Sequence, residues 1–310
     1  MISNHGIANN GDNNSFNNNA IGDRAHVSPP PPSRFTSQTG GEAARTTRWD
    51  VGVVTILSEE LRSLVEELHL ERHREPNGLH FYRGEHATPD MTVRIVATQT
   101  QSQGQRSAMA ALENLRRYYE PSLWALVGVG GGIHEDHARI GNVIVSTDIV
   151  YYENRKINPH GDVRHRGEHR QAPAPAVHAV NAFFADHGTP AHIDGQHSAH
   201  ASETFEVYPG VIGSGEAVIA DGESEIRSYL TKYNEKVLAV DMEAGGLSQY
   251  WQENSVHHGI NPGWIVIRGV SDNADDAKGH GYHELAARNA AHVLRRLLPY
   301  ICWPQSPDAS

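Results

Sequence analysis

From Asp50 onward, short apolar runs alternate with amphipathic helical patterns, and this alternation constrains the fold more than any other feature of the chain. In the first unit, Val51 to Ile56 has the continuous apolar character of a buried strand, and Ser58 begins a helical repeat. Strands that alternate with helices favour a largely parallel sheet that is covered on both faces. The predicted fold is therefore a single three-layer α/β domain with a central, mostly parallel (mixed) sheet flanked by helices.

The same patterns place the remaining elements. The predicted strands are 51–56, 79–84, 91–98, 123–129, 143–150, 211–219, 237–240 and 264–269. The predicted helices are 58–68, 104–121, 174–187, 222–232, one from 241, and 283–298. A glycine cluster at 128–132 closes one strand, but β character resumes at Val143 and position 133 is isoleucine. These glycines therefore open no helix, which argues against a dinucleotide-binding loop.

The chain divides into three parts by composition. Residues 1–47 hold the Asn-rich run Asn9–Asn19 and the prolines Pro29–Pro32. Such a segment buries too little apolar surface to offset the entropy of ordering, so we predict a disordered tail. Residues 48–300 are predicted to form the one folded domain, and residues 301–310 are predicted to be a short C-terminal tail.

Charge and cysteine content exclude several classes of protein. The formal net charge is −11 and no Lys/Arg-rich block is present, which disfavours nucleic-acid binding. The single cysteine, Cys302, cannot form an intrachain disulfide or a cysteine-rich zinc site, and it fits a reducing compartment. Leu123–Ile133 is the longest nearly apolar stretch and is too short to span a bilayer. A cytoplasmic protein without a membrane segment is expected.

Acidic residues follow three of the predicted strands. They are Glu59 and Glu60, Asp241 and Glu243, and Asp272 beside Ser271. Each group has an ordinary explanation, because acidic and hydroxyl side chains cap helix starts. Ligands of parallel α/β sheets bind beyond the carboxyl ends of the strands, however, and carboxylates gathered there can act as acids and bases on one ligand.

Four motifs, in this order and spacing, resemble those of the nucleoside phosphorylase and methylthioadenosine/adenosylhomocysteine nucleosidase superfamily. They are Val51–Glu60, Val127–Ile133 followed by Gly141–Ser146, Gly213–Ile219, and Val240–Ala244 followed by Arg268–Asp272. The resemblance extends over about residues 50–299. It implies an enzyme that cleaves the N-glycosidic bond of a purine nucleoside.

The resemblance also implies roles for individual residues. Glu60 matches the residue that activates the attacking water, Asp272 the residue that protonates the purine, and Glu243 the carboxylate that holds the ribose hydroxyls. Cleavage at C1′ develops positive charge on the sugar and negative charge on the base, so carboxylates beside the sugar and an acid beside the base favour it. Further positions that match substrate-binding residues are Val129, Gly130, Val218, Ile219, Asp241, Met242, Ser271 and Tyr282. No metal or organic cofactor is implied.

The attacking group is the next question. A glutamate beside the nucleophile suits water and repels phosphate, so Glu60 favours hydrolysis over the alternative, phosphorolysis. Arg106 is the best candidate for a phosphate contact, although a solvated surface charge is the ordinary interpretation. Val129 replaces a hydroxyl residue that these nucleosidases usually carry, and Ser102–Gly104 replaces a common glycine pair. Other adenine nucleosides or nucleotides, and a nucleoside sensor without activity, therefore remain open.

The polar stretch 151–173 is rich in histidine and arginine. His160, His165 and His169 lack the spacing of a metal site, so a solvated loop that flanks the substrate is the preferred interpretation. In the alternative interpretation, arginines of the stretch grip ligand phosphates. These arginines are Arg155, Arg164, Arg166 and Arg170.

Partners are predicted less directly. A small-molecule purine nucleoside or nucleotide is the expected ligand, and family members suggest a homodimer or a higher homo-oligomer. The tail at 1–47 is interpreted either as passive or as a segment that docks onto a protein partner. Its Asn-rich run loosely resembles short tails of bacterial defence proteins, which would make the enzyme a regulated effector that depletes nucleotides.

Overall fold

A computed structural model describes residues 49–161, 163–195, 204–254, 263–274 and 280–302. The predicted N-terminal tail at 1–47 and most of the C-terminal tail lie outside these residues. No helix in the described ranges is both long enough and apolar enough to cross a lipid bilayer.

The chain alternates between strands and helices, as predicted. The strands are β1 Val51–Thr55, β2 Glu71–Arg74, β3 His80–Ala87, β4 Thr92–Gln99, β5 Leu123–Gly132, β6 Val143–Tyr151, β7 Arg155–Ile157, β8 Val163–His165, β9 Glu168–Gln171, β10 Ala191–Asp194, β11 Thr204–Ser214, β12 Val237–Asp241 and β13 Gly263–Asp272. The helices are α1 Ser58–Leu68, α2 Gln105–Tyr119, α3 Ala174–His187, α4 Glu225–Tyr233, α5 Ala244–Asn254 and α6 His283–Ile301.

One large mixed sheet organises the domain. Its strands follow the order β10-β11-β6-β13-β5-β1-β4-β3-β2, while β12 pairs with β11 and β5, and β9 pairs with β6. Helices α1, α3 and α6 pack together on one face, and α2 packs against α5 on the other. The predicted three-layer α/β domain is therefore confirmed.

The core lies between the sheet and its two helical layers. Every residue of β1 and β13 is buried, which is why these segments are almost continuously apolar rather than alternating. Helix α1 turns Leu61, Leu64 and Leu68 inward, and two tryptophans, Trp124 and Trp264, fill the middle of the core. Strand β13 holds two charged side chains, Arg268 in its middle and Asp272 at its end.

The site residues converge for a reason that differs from the prediction. The sequence suggested that parallel strands bring their carboxyl ends to one edge, but β12 runs antiparallel to β5 and parallel to β11. Strand β5 continues as far as Gly132, so Val240 pairs with Gly131 near its end. The carboxyl ends of β5 and β12 thus meet although the strands point in opposite directions.

Several boundaries differ from the predictions. The strand predicted at 211–219 is β11, which ends at Ser214. The polar stretch 151–173 contains three short strands, β7, β8 and β9, and β2 is a further short strand with mostly exposed side chains. Such strands have no apolar face, so hydrophobic periodicity could not reveal them.

Candidate active site

Glu60 is held in the first turn of α1 with its carboxylate turned inward. The side chain is 3% exposed, and Oε2 accepts hydrogen bonds from the backbone N–H groups of Ile56 at 2.6 Å and Leu57 at 2.8 Å. Oε1 accepts a third from the N–H of Val129 at 2.8 Å. The carboxylate therefore joins the start of α1 to the glycine-rich end of β5.

Gly128 makes room for this carboxylate. A Cβ at position 128 would collide with Oε1 of Glu60 and would lie 2.8 Å from Nη1 of Arg268. The glycine in β5 thus allows Glu60 and Arg268 to approach the same strand, which is a steric reason for this residue type. Burial raises the pKa of Glu60, while Arg268 and the three backbone N–H groups oppose that increase.

Arg268 is the buried cation of the site and is only 1% exposed. Its Nη2 donates to Oδ2 of Asp241 at 2.6 Å and to Oε2 of Glu243 at 3.0 Å, and its Nε donates to Oδ2 of Asp241 at 3.0 Å. Burial alone would lower the pKa of Arg268, but the carboxylates of Asp241, Glu243 and Glu60 outweigh it and raise that pKa. The guanidinium is therefore always charged.

Arg268 lies in one of the four motifs but was not among the predicted site residues. The available signal was a single charged residue within an apolar strand, because an isolated buried charge is costly and must be paired. Its partners come from a different part of the chain, β12 and the start of α5, so only the folded structure reveals the pairing.

Asp241 organises the structure around it. Its Oδ1 accepts from Ser214 Oγ at 2.7 Å and from the N–H of Ala244 at 3.1 Å, while Oδ2 receives Arg268. Gln105 joins this network by donating to Ser214 Oγ at 3.1 Å. Asp241 lines the cavity, as the resemblance implies, but its hydrogen-bonding capacity is used to hold α5, β11 and Arg268 together.

Glu243 reaches across to the loop before α2. Its Oε1 accepts from the N–H of Gly104 at 2.9 Å, where φ is +101° and glycine is therefore the suitable residue. Burial raises the pKa of Glu243 to about 7; Arg268 opposes this increase and Asp241 adds to it. The carboxyl group titrates near neutral pH, which is a property common among functional groups.

Asp272 is the last residue of β13 and lines the same cavity. Its Oδ2 accepts from Ser271 Oγ at 2.9 Å, and its Oδ1 accepts from the N–H of Ala274 at 2.9 Å. The side chain is 4% exposed. These bonds hold the carboxyl group in one orientation toward the cavity that it lines.

These side chains surround a cavity of about 260 Å³, which we call the inner cavity. The predicted site residues that line it are Glu60, Val129, Gly130, Val218, Ile219, Asp241, Met242, Glu243, Ser271 and Asp272. Lining residues that the sequence analysis did not select include Gln103, Arg268 and His283. The inner cavity is strongly acidic, since four carboxylates and one guanidinium contribute to its wall.

Tyr282 does not join this group. It is 53% exposed in a 3-10 turn at the start of α6, and it does not line the inner cavity. The next residue, His283, does so, and its Nδ1 lies 3.4 Å from Oε1 of Glu59. Tyr282, predicted as a substrate-binding residue, therefore lies outside the inner cavity in this structure, and the first turn of α6 directs His283 inward instead.

The arginines of the polar stretch have different surroundings. Arg170 pairs with Glu168 at 2.7 Å and donates to the carbonyl of Gly245 at 3.2 Å, so it has a structural role. Arg164 and Arg166 line a separate recess beside β7 and β8, which shares no lining residue with the inner cavity. Within the described residues, no group of three His, Cys, Asp or Glu side chains is arranged to hold a metal ion.

Residues 50–299 match the sequence model of the phosphorylase superfamily. This match covers most of the chain, and the chain therefore belongs to that superfamily. Glu60, Glu243 and Asp272, which the motifs selected, all lie within the matched range and around one cavity.

Solved structures share the fold. The methylthioadenosine/adenosylhomocysteine nucleosidase of S. pneumoniae aligns with a TM-score of 0.62 at 18% identity, covering 82% of this chain and all of the other. The Neisseria meningitidis nucleosidase aligns with a TM-score of 0.60 at 20% identity, over 80% of this chain and 98% of the other. Futalosine hydrolase of Helicobacter pylori strain 26695 aligns with a TM-score of 0.61 at 17% identity, over 81% and 97%.

A curated relative is similar in sequence. The ATP nucleosidase Cap17 of Escherichia coli strain KTE188 is 26% identical over 235 residues, which cover 72% of this chain and 45% of that protein. The chain thus spans about half the length of this relative.

Proposed function

We propose that the protein hydrolyses the N-glycosidic bond of an adenine nucleoside or nucleotide. The observation that carries this proposal is the arrangement of the buried side chains Glu60, Glu243 and Asp272 around one cavity, with Arg268 bonded to Glu243 and electrostatically coupled to Glu60. Bond cleavage needs a base for water at one end and an acid for the departing purine at the other.

Glu60 acts as the general base. Its Oε1 and Oε2 already accept three backbone N–H bonds, which orient the carboxylate, and burial raises its pKa toward the range where it can accept a proton. Water bound beside Glu60 and Val129 would lose a proton to the carboxylate as its oxygen attacks C1′. Val129 contributes only its backbone N–H, so a side-chain hydroxyl at this position is not needed to orient Glu60.

Glu243 stabilises the sugar as positive charge develops at C1′, and its carboxylate accepts hydrogen bonds from the ribose hydroxyls. Asp241 and Arg268 keep it in position through the bonds that cross the floor of the inner cavity. Arg268 also places a fixed positive charge near Glu60, which keeps these two carboxylates from repelling each other.

Asp272 supplies the proton or hydrogen bond that the purine needs as the bond breaks. It lies with Ser271 and Ile219 on the cavity wall, where the base would be held. Asp272 thereby neutralises the negative charge that develops on the leaving base.

Water rather than inorganic phosphate is the proposed nucleophile. Four carboxylates line the inner cavity, and Arg268, its guanidinium, is already bound to two of them. Among the described residues that line the inner cavity, no guanidinium is left to bind a free phosphate ion, which would instead meet repulsion from the carboxylates. The alternative function, phosphorolysis, would need a bound phosphate ion and is therefore not favoured by these charges.

The relatives support the choice of substrate class. The aligned nucleosidases act on methylthioadenosine and adenosylhomocysteine, and the curated relative is an ATP nucleosidase. Adenine is common to these substrates, while the group at the 5′ position differs. A second candidate function, depletion of ATP by a regulated effector, is favoured by the similarity to the curated relative alone.

The substrate panel is the first test. Purified protein is incubated with methylthioadenosine, adenosylhomocysteine, adenosine, inosine and ATP, with and without phosphate, and the released base is measured by chromatography. We expect adenine without any need for phosphate. Strict dependence on phosphate with a sugar 1-phosphate as product would instead establish a phosphorylase, and no base under any condition would overturn the proposal.

We further propose that the protein acts as a homodimer or higher homo-oligomer in the cytoplasm. The N-terminal tail remains a candidate for docking onto a protein partner. These proposals rest on the resemblance to the superfamily and on the composition of the chain.

A further inference from the structure

A second, larger cavity opens beside the inner one. It has a volume of about 1060 Å³ and is lined by β2, β3, the end of β4, the loop 100–104 and the start of α2. We call it the outer cavity. Glu60, Glu243 and Asp272 do not line it, whereas Arg106, the candidate phosphate contact of the sequence analysis, does.

The two cavities are neighbours beside Glu243 and Glu60, since Leu61 lines the outer cavity and Glu60 the inner one. Gln103 lines both of them, and Gly104, a lining residue of the outer cavity, donates its N–H to Glu243. Glu216 lines the outer cavity and the next residue, Ala217, lines the inner one. Asp272, at the base end, lines only the inner cavity. A ligand whose sugar lies against Glu243 therefore points its remaining substituent toward the outer cavity.

The charge changes sign between the two cavities. Among the described residues, the inner cavity has more carboxylates than guanidinium groups, whereas Arg72 and Arg106 face the outer cavity together with one carboxylate, Glu216. Within the described part of the chain, neither arginine has a side-chain hydrogen bond or an ion pair, in contrast to Arg268. These guanidinium groups are therefore available to a ligand, and guanidinium groups bind phosphate well.

Two further features favour an anion there. Thr100, which lines the outer cavity and is 6% exposed, has a buried Oγ1 without a hydrogen-bond partner among the described residues. Such a buried hydroxyl is normally satisfied. Helix α2 also begins at this cavity, and no side chain caps its N-terminal end, where the helix dipole is positive.

From these observations we infer that the outer cavity binds the 5′-phosphate groups of an adenine nucleotide, with Arg72 and Arg106 as the phosphate contacts. This inference rests on the proposed function, because it takes the base and sugar to occupy the inner cavity. The rival arginines, Arg164 and Arg166, line a recess that adjoins neither cavity through a shared residue. The nucleotide is thus distinguished from the nucleoside by the outer cavity and not by the β7–β8 hairpin.

The test compares kcat/KM for AMP and for ATP with kcat/KM for adenosine in matched variants. Arg72→Gln and Arg106→Gln each lower the ratio of nucleotide to adenosine about tenfold, the effect of one lost charge-assisted hydrogen bond. Glu216→Gln acts in the opposite direction and raises the ratio, because it removes a negative charge from the same wall. Arg164→Gln, in the separate recess, leaves the ratio at its wild-type value.

An unchanged ratio in Arg72→Gln and Arg106→Gln, or a loss confined to Arg164→Gln, overturns the assignment. If no substrate releases adenine, the proposed hydrolysis fails instead, and calorimetric binding of ATP to the same variants tests the outer cavity separately. Binding that weakens about tenfold in the two arginine variants supports the subsite even then. Titration with inorganic phosphate distinguishes the sources, since equally tight binding of free phosphate would assign the cavity to the ion.

Discussion

At the residue scale, the site depends on one buried cation that is shared among carboxylates. Arg268 bridges Asp241 and Glu243 and lies close to Glu60 beside Gly128. Removal of one partner leaves the others buried and unpaired, which costs far more than a surface pair would. For this reason, substitution of any of these carboxylates is expected to change both the free energy of unfolding and the rate of catalysis.

Glu60→Gln tests the base. The amide retains the size of the side chain, and its oxygen can still accept from Ile56 and Leu57, although its NH2 group then faces the N–H of Val129. The amide cannot take a proton from water. We expect kcat to fall at least about 100-fold while adenosine binding is retained. Glu66→Gln, an exposed substitution on the same helix, is the control. Near-normal turnover by Glu60→Gln in a chromatographic assay would contradict the assignment.

The raised pKa of Glu243 predicts that the stability of the folded protein depends on pH. Its pKa in the folded protein is raised from the usual 4.5 to about 7, so the unfolded chain releases this proton at lower pH than the folded protein does. The stabilisation is present below about pH 4.5 and is lost as the pH rises through about 7. Urea unfolding should therefore show that the wild type loses stability relative to Glu243→Gln between pH 5 and 8. A constant difference would show that the pKa is not raised.

At the element scale, the contact between α2 and α5 sets the position of the loop that binds Glu243. Gly245 and Gly246 at the start of α5 pack on Gln105 at the start of α2. A Cβ at position 246 would lie 2.8 Å from the carbonyl oxygen of Gln105, so the two helices can approach this closely only with glycine. The same turn of α2 follows Gly104, which bonds to Glu243.

Gly246→Val should therefore separate the helices. Overpacking of this kind typically costs about 1–3 kcal/mol, and the shift of Gly104 away from Glu243 should lower kcat/KM as well. Thermal unfolding and adenine release measure the two effects, with the exposed Glu253→Val on the same helix as control. A Gly246→Val variant with wild-type activity and stability would show that the contact between α2 and α5 accommodates a larger side chain.

At the scale of the whole molecule, the described fold begins at Trp49, whose N–H and C=O bond to Tyr119 and Ser122. The superfamily match begins at residue 50. The composition of residues 1–47 predicts that this segment contributes no core.

Deletion of residues 1–47 should accordingly leave the melting temperature and the rate of adenine release unchanged. Differential scanning fluorimetry and the chromatographic assay check this, with the full-length chain as reference. A large loss of stability would show that the segment packs against the domain and that its polar composition is misleading.

The buried strands and the motif residues could be predicted from the sequence, because both depend on residue patterns within short segments of the chain. Continuous apolar runs identify β1 and β13 as buried strands, and ordered motifs predict a common site for Glu60, Glu243 and Asp272, which line one cavity. The polar strand β2 left no such signal, because exposed side chains carry no hydrophobic period.

Only the tertiary structure decided how these parts meet. Strand β12 reaches the site by pairing antiparallel with β5. Arg268 pairs with carboxylates that lie outside its own strand. Arg72 and Arg106 line one cavity although they are far apart in sequence. The physical reason is that charge pairing and cavity shape depend on distances through space, whereas sequence patterns report only burial and backbone preference along the chain.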